Sequence, residues 1–364
     1  MLIIDSHCDT PSQIMRQRDL RLDNNRGHVD FPKLKRGDIG AVFFALYTSA
    51  TLSPDEATKA ALEMAAGVFD AVAASSDTAE MAYSTDDILA NRDKGKVSIL
   101  LGMENGAPIQ HSLPLLRLFY RLGVRYMTLT HNGDNEIGDS AAKGSTWNGL
   151  SPFGIEVVEE MNSIGMLVDI AHASDKTFFD CIQYSKAPVV STHSCCRAIA
   201  GHRRNMTDEM IRAMADKGGV IQINFYPTFL SDAFARVFAE WEKAHDNADE
   251  IEQAYISSPH SEAKKEAWYS LVDSMSELQR PGVEAIVDHI DHAVNVGGID
   301  HVGIGSDFDG IAVTPYGVED ISKTGLVFDE MRRRGYSEDS IEKVAGKNFL
   351  RVLKDAELLK TKML

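Results

Sequence analysis

The chain has 364 residues, 44% hydrophobic and 25% charged, with 37 Lys+Arg against 54 Asp+Glu and a formal net charge of −17. Such proportions exclude a disordered, collagen-like or membrane-spanning chain. The acidic balance excludes nucleic acid as a partner, since a phosphate backbone needs a concentrated positive surface.

The first residues, Met1-Leu2-Ile3-Ile4-Asp5, have neither the positive region nor the apolar stretch of a signal peptide. Apolar, β-branched-rich runs then predict strands at residues 2–4, 41–46, 97–101, 126–129, 167–170, 189–192, 220–224 and 302–304. Each run is continuous rather than alternating, as in strands buried on both faces of a parallel sheet. Helical stretches separate them. Ser53-Pro54 opens one over 55–74, and Ser151-Pro152 opens another closed by Gly165; each pairs an N-cap residue with Pro in the first turn. Eight strands alternating with helices predict an α/β fold of the (β/α)8 TIM-like barrel type, using 1–364 as one domain. The rival, an open doubly wound sheet, lacks its Gly-rich dinucleotide fingerprint. Two segments exceed a minimal barrel: a polar, irregular excursion over 5–38, and a charged helical insertion over 231–280 between the seventh and eighth strands. The insertion shows little continuous apolar face and reads as a solvated excursion or lid. At the end, 358–364 is too short and too charged for a lipid-anchor tail. Four cysteines, Cys8, Cys181, Cys195 and Cys196, are too few for a disulfide framework. Together these features predict reduced thiols, no membrane anchor and a cytoplasmic location.

Metal-competent residues stand where the predicted strands end. His7 and Asp9 follow the first, Glu104 the third, His131 the fourth, His172 the fifth, His193 the sixth and Asp307 the eighth. In a barrel these ends converge on one mouth, where such enzymes keep their active sites. His7-Cys8-Asp9 sets an imidazole and a carboxylate on the same side of extended backbone, so the two can share a metal. Glu104 offers two oxygens able to bridge two ions, and neutral imidazoles at His172 and His193 suit zinc. Three His and two carboxylates leave two coordination spheres incomplete, as a catalytic site requires.

These residues sit in longer motifs: Asp5-Ser6-His7-Cys8-Asp9-Thr10, Gly102-Met103-Glu104-Asn105-Gly106, Thr128-Leu129-Thr130-His131-Asn132, Asp169-Ile170-Ala171-His172-Ala173-Ser174, Ser191-Thr192-His193-Ser194, Arg203-Arg204-Asn205 and Gly305-Ser306-Asp307-Phe308-Asp309-Gly310. In order and spacing, from residue 3 to about residue 350, they resemble the membrane (renal-type) dipeptidase family. The resemblance implies a binuclear zinc metallopeptidase that hydrolyses dipeptides, tolerates a D-residue at the C-terminal position and forms homodimers. It implies that His7 and Asp9 hold one zinc ion, His172 and His193 the other, and that Glu104 bridges both. A metal-bridging hydroxide would attack the peptide carbonyl. His131 would sit over that carbonyl, Arg204 would bind the substrate carboxylate, and Asp307 would handle the proton. Mammalian members carry a signal peptide, disulfides and a lipid anchor, for which this sequence shows no signal.

The remaining candidates read as ordinary. His202 is a rim residue; His28, His111, His245, His260, His289, His292 and His301 are structural or solvated; Cys195 has no role as a nucleophile beside a metal centre. Arg203 and Arg204 read either as a surface pair or, for Arg204, as a planar two-donor fork for a peptide carboxylate. An amidohydrolase-like barrel acting on a cyclic amide, lactone or base would use similar ligands, but gives no reason for Arg204. A scaffold that has lost catalysis would lack a ligand, and none is missing.

Overall fold

Strands that are apolar at successive positions need cover on both faces, and a closed parallel sheet ringed by helices supplies it. The computed structural model describes residues 1–142 and 144–361, and there these runs form one parallel sheet. Its strands are β1 (Ile3–Cys8), β2 (Ile39–Tyr47), β3 (Ala79–Met81), β4 (Val97–Glu104), β5 (Val124–Thr128), β6 (Leu167–Asp169), β7 (Val189–Ser194), β8 (Val220–Ile223) and β9 (Val302–Ile304). The pairing order β1-β2-β4-β5-β6-β7-β8-β9 gives an eight-strand, nearly closed barrel. Closure comes from a parallel bridge between Cys8 and Phe308, where Asp307 N donates to His7 O at 3.0 Å and Asp9 N to Phe308 O at 2.9 Å.

β3 has no counterpart among the predicted strands. It borrows the edge of β4 at Val97–Ile99, before β5 takes over that edge at Leu101. Three residues, Ala-Glu-Met, carry too little pattern to announce a strand.

The end-signals held where they were strongest. The helix Pro54–Ala73 begins with a capping box between Ser53 and Glu56, and Pro152–Ile164 ends at Gly165 with φ 81°. The excursion over 5–38 is irregular only in part, chiefly over 16–30. Residues 5–8 continue β1, the helices Thr10–Met15 and Phe31–Arg36 follow, and Leu20, Val29, Phe31 and Leu34 are buried. Polarity concealed the strand because several of its polar groups are paired inside the barrel. Asp5 Oδ1 accepts from His7 N at 3.2 Å and Ser306 N at 3.0 Å, and the Ser6 hydroxyl donates to Thr192 O at 2.7 Å.

Between β8 and β9 stand the helices Asp232–Ala244, Ala248–Ser257 and Glu262–Ser276. The expected lack of an apolar face is wrong here: Phe234, Phe238, Trp241, Leu271, Met275 and Val313 form a buried cluster. Positions 234, 238 and 241 fall on one side of a helix, and dense charge on the other side masked them. Among the described residues no helix is long and apolar enough to cross a membrane. Lys362, Met363 and Leu364, part of the C-terminal segment weighed above as an anchor, lie outside the described residues, as does Lys143.

Inside the barrel Phe43 packs 5.5 Å from Tyr126 and edge-on to Phe349 at 5.2 Å (ring centroids), which closes the floor. Tyr126 fits only because position 102 has no side chain: a Cβ on Gly102 would lie 2.1 Å from its Cζ. Gly102→Ala is therefore expected to cost about 1–3 kcal/mol through overpacking. Gly325→Ala, whose added methyl meets nothing within 4 Å, is expected to stay within about 0.5 kcal/mol. Chemical denaturation of both variants checks this, and equal stability would remove the steric argument.

Candidate active site

The barrel brings seven polar side chains to the C-terminal ends of its strands. His7 lies in β1, Glu104 ends β4 and His193 lies in β7; Asp9, His131, His172 and Asp307 come just beyond β1, β5, β6 and β9. All seven predicted positions converge. Glu104 is the hub: its Oε2 lies 3.5 Å from His7 Nε2, and its Oε1 lies 3.1 Å from His172 Nε2, 3.5 Å from His193 Nε2 and 3.9 Å from His131 Nε2. His7 Nε2 is also 3.5 Å from Asp9 Oδ2. Three overlapping groups have ligand atoms within 4.8 Å of one another: His7-Glu104-His193, Glu104-His131-His172 and His7-Asp9-Asp307.

Each buried imidazole is fixed through Nδ1, which turns Nε2 towards Glu104. Tyr126 Oη meets His7 Nδ1 at 2.8 Å, Asn132 Oδ1 meets His172 Nδ1 at 3.2 Å, and Thr192 Oγ1 meets His193 Nδ1 at 3.0 Å. The tautomers follow from the partners. An amide oxygen can only accept, so His172 Nδ1 carries the hydrogen. Thr192 gives its own hydrogen to Asp169 Oδ2 at 2.7 Å, so it accepts from His193 Nδ1. Two Nε2 lone pairs then face each other at 2.9 Å, while His7 Nε2 is buried without a hydrogen-bond partner. That arrangement repels itself unless a cation shares it. A proton on either ring is disfavoured. Burial holds His172 and His193 well below the ordinary imidazole value, and Arg204 reinforces this for His172, as His7 does for His193. At His7 burial also opposes protonation, yet Glu104 and Asp9 outweigh it and raise the pKa well above ordinary. Nitrogen and carboxylate donors around a negative, buried point suit a divalent metal.

The flanking groups are equally constrained. Asp307 accepts from Asn224 Nδ2 at 2.9 Å, and burial, then the charge of Asp9, pushes its carboxyl up to about 7. Its φ is 65°, and His172 stands at 68°, in the left-handed region that non-glycine residues rarely adopt. Gly310 is obligatory in this turn, because a Cβ there would lie 2.2 Å from Asp9 Oδ2. His131 meets Tyr47 edge-on at 4.8 Å; burial, then Arg204, lowers its pKa to about 3, so it is neutral.

Arg204 is not half of a surface pair. Arg203 is exposed, but Arg204 is 7% exposed; its Nη2 donates to His193 O at 3.2 Å, its Nη1 to the Ser194 hydroxyl at 3.5 Å, and its Nε has no partner. Among the described residues no carboxylate lies within 4 Å of it. Burial lowers its pKa to about 10, which still leaves it charged at neutral pH.

Several functional neighbours escaped sequence reasoning. Tyr126, Asn132, Thr192, Asp169 and Asn224 orient the site, and of these only Asp169 is a polar residue inside an apolar run. His28 is not an isolated loop residue: its Nδ1 accepts from Asp309 N at 3.0 Å, and it lines the cleft. His289 is structural as expected, accepting from Cys196 N at 3.0 Å. Burial raises the Cys195 thiol well above its ordinary value, against a nucleophilic role. The cleft above the cluster measures about 880 Å³ and runs from Glu104 and His131 past Tyr226 to Trp241, Glu252 and Tyr255.

Fold and site together define a barrel hydrolase of the metallopeptidase type. The chain belongs to the membrane dipeptidase family, peptidase family M19, whose model matches residues 1–364. It is 32% identical over 379 residues to an uncharacterized dipeptidase of Schizosaccharomyces pombe, covering 98% of this chain and 81% of that protein. It is also 32% identical over 372 residues to dipeptidase tcpJ of Claviceps purpurea, covering 97% and 76%. Among solved structures, the probable dipeptidase PvdM from Pseudomonas aeruginosa matches with a TM-score of 0.81 and 26% identity, over 99% of this chain and 96% of that one.

The central position of Glu104 has a measurable consequence. Glu104→Gln is expected to lower metal content at more than one position, whereas His7→Ala should mainly empty one. Elemental analysis after dialysis checks this, and equal losses of a single ion in both variants would argue against a shared carboxylate.

Proposed function

We propose that this dipeptidase is a zinc enzyme binding two ions per chain, one through His7 and Asp9, the other through His172 and His193, with Glu104 serving both. The donor chemistry supports zinc: three buried imidazoles, two of them held neutral, and two buried carboxylates, with no thiolate aimed at the centre. When bound, such ions polarise the scissile carbonyl and acidify the attacking water. The chain's own residues do the rest. Asp307, fixed by Asn224, takes the proton released by that water and returns it to the leaving amine. Neutral His131 donates a hydrogen bond to the carbonyl oxygen as negative charge develops there. The guanidinium of Arg204 holds the substrate's terminal carboxylate, one residue beyond the scissile bond. Tolerance of a D-residue at that position is what the family resemblance implies.

Arg204 is the observation that carries this reading. A buried cation without a carboxylate partner is costly, and it stands beside His193 and Asp307, in whose field it lies. A substrate carboxylate at this point explains it, whereas a cyclic neutral amide does not.

Arg204→Ala should cost about 2–5 kcal/mol in kcat/KM on free dipeptides, because the carboxylate is left desolvated and unpaired. Metal content should not change. Amidated dipeptides should be poor substrates of the parent and respond little to the substitution. Steady-state kinetics on both series checks this; unchanged rates on free dipeptides would remove the clamp and the preference for dipeptides over cyclic amides.

A further inference from the structure

The cleft exceeds the needs of a dipeptide. Its volume of about 880 Å³ approaches the upper end for drug-sized ligands, roughly 1,000 Å³. One wall comes from the helices Asp232–Ala244, Ala248–Ser257 and Glu262–Ser276, and that wall is negatively charged. Glu242, Asp246 and Asp249 are exposed there, and Glu252 is half-buried.

Among the described residues none of these four carboxylates has a cation within 4 Å. Nearby cations are committed elsewhere. Lys243 pairs with Glu240, Lys265 with Glu262, Arg18 with Asp309 and Arg26 with Asp273, while Lys264 donates to the Ser258 hydroxyl. Arg16 remains, lying over the Tyr255 ring at 5.6 Å. Its charge bears on Glu252, and that of Asp249 opposes it.

Glu252 lines the same cleft as Tyr47, Tyr226, Glu104 and His131, and Tyr47 meets His131 edge-on at 4.8 Å. That this cleft takes a ligand is supported independently by Arg204, which lines its inner end and is buried with its Nε unpartnered.

A dipeptide held by its carboxylate at Arg204 and by its carbonyl at the metal cluster directs its first residue away from Arg204. We propose that Glu252 selects dipeptides whose first residue carries a cationic side chain of the lysine or arginine type. The inference rests on the dipeptidase reading. A half-buried carboxylate is less screened than a surface one, the rim carboxylates draw the cation in, and the flexible four-carbon stem of lysine lets its ammonium extend from the backbone.

The experiment compares kcat/KM for lysyl-alanine, norleucyl-alanine and glutamyl-alanine on the metal-loaded protein and on its Glu252→Gln and Glu252→Lys variants. Norleucine matches the lysine stem without its charge. The parent should favour lysyl- over norleucyl-alanine by about tenfold at low ionic strength, the scale of one partly screened charge pair. Glu252→Gln should bring that ratio close to one, and Glu252→Lys should invert it in favour of glutamyl-alanine. A parent that cleaves all three equally, or a ratio unmoved by both substitutions, would overturn the selection while leaving the dipeptidase reading intact. A parent that cleaves none of them would overturn both.

Discussion

A carboxylate buried among four imidazoles sets the terms for the rest of this molecule. Glu104 is 3% exposed, and its oxygens lie between 3.1 and 3.9 Å from the Nε2 atoms of His7, His131, His172 and His193. Burying such a charge is unfavourable unless a countercharge shares the space. Of these imidazoles only His7 is pushed towards protonation, by Glu104 and Asp9, while His131, His172 and His193 are held neutral, which leaves the facing Nε2 lone pairs of His172 and His193 without a cation. The centre is therefore organised for a cation from outside, and the neighbouring side chains make sense as parts that keep those nitrogens aimed.

Aiming is done one layer back. Asp169, at the end of β6, accepts hydrogen bonds from the hydroxyls of Thr128 and Thr192 and from the backbone nitrogens of Thr192 and Ala171. One carboxylate thereby ties β5, β6 and β7 together at the height of the site. Because Thr192 has given its hydrogen away, it fixes the tautomer of His193. Tyr126 holds the His7 ring in place from the barrel interior, in space that Gly102 leaves free. Outer partners of this kind govern ligand basicity and orientation, so the packing of the core and the chemistry of the mouth are one problem.

What the sequence revealed, and what it hid, follows from the range of the forces involved. The seven mouth residues were legible because a parallel barrel converts strand ends into one location, so linear order alone gathers His7, Glu104 and Asp307. The strand carrying His7 was read short, since Asp5, Ser6 and His7 look like loop residues until their partners at Thr192 and Ser306 are known. Tyr126 and Asn224 left no signal at all: their value lies in contacts 119 and 83 residues away in the chain. The apolar face of the helix Asp232–Ala244 was present in the sequence, but the charged residues Arg236, Glu240, Glu242 and Lys243 around it obscured it. Arg204 shows the reverse case, where a dipeptide of arginines looks like surface and the fold buries one of them.

The last connection joins the reaction centre to the wall of the cleft. Asp309, with φ 67°, follows Asp307 by two residues. Its carboxylate accepts from Arg18 at 2.5 Å, from the Thr10 hydroxyl at 2.9 Å and from His28 N at 3.1 Å. The loops after β1 and β9 are thus locked to each other beside Asp9 and Asp307. The same post-β1 segment reaches the helical wall: Gln17 hydrogen-bonds His260 at 3.1 Å, Arg26 pairs with Asp273 and lies over Tyr269, and Arg16 lies over Tyr255. Residues 10–28 therefore form a bridge from the loop beside Asp9 and Asp307 to the helical wall of the cleft. Exposed pairs such as Arg26–Asp273 contribute little singly, whereas the buried Asp309 anchor is strong. The wall is thus positioned from the centre outward.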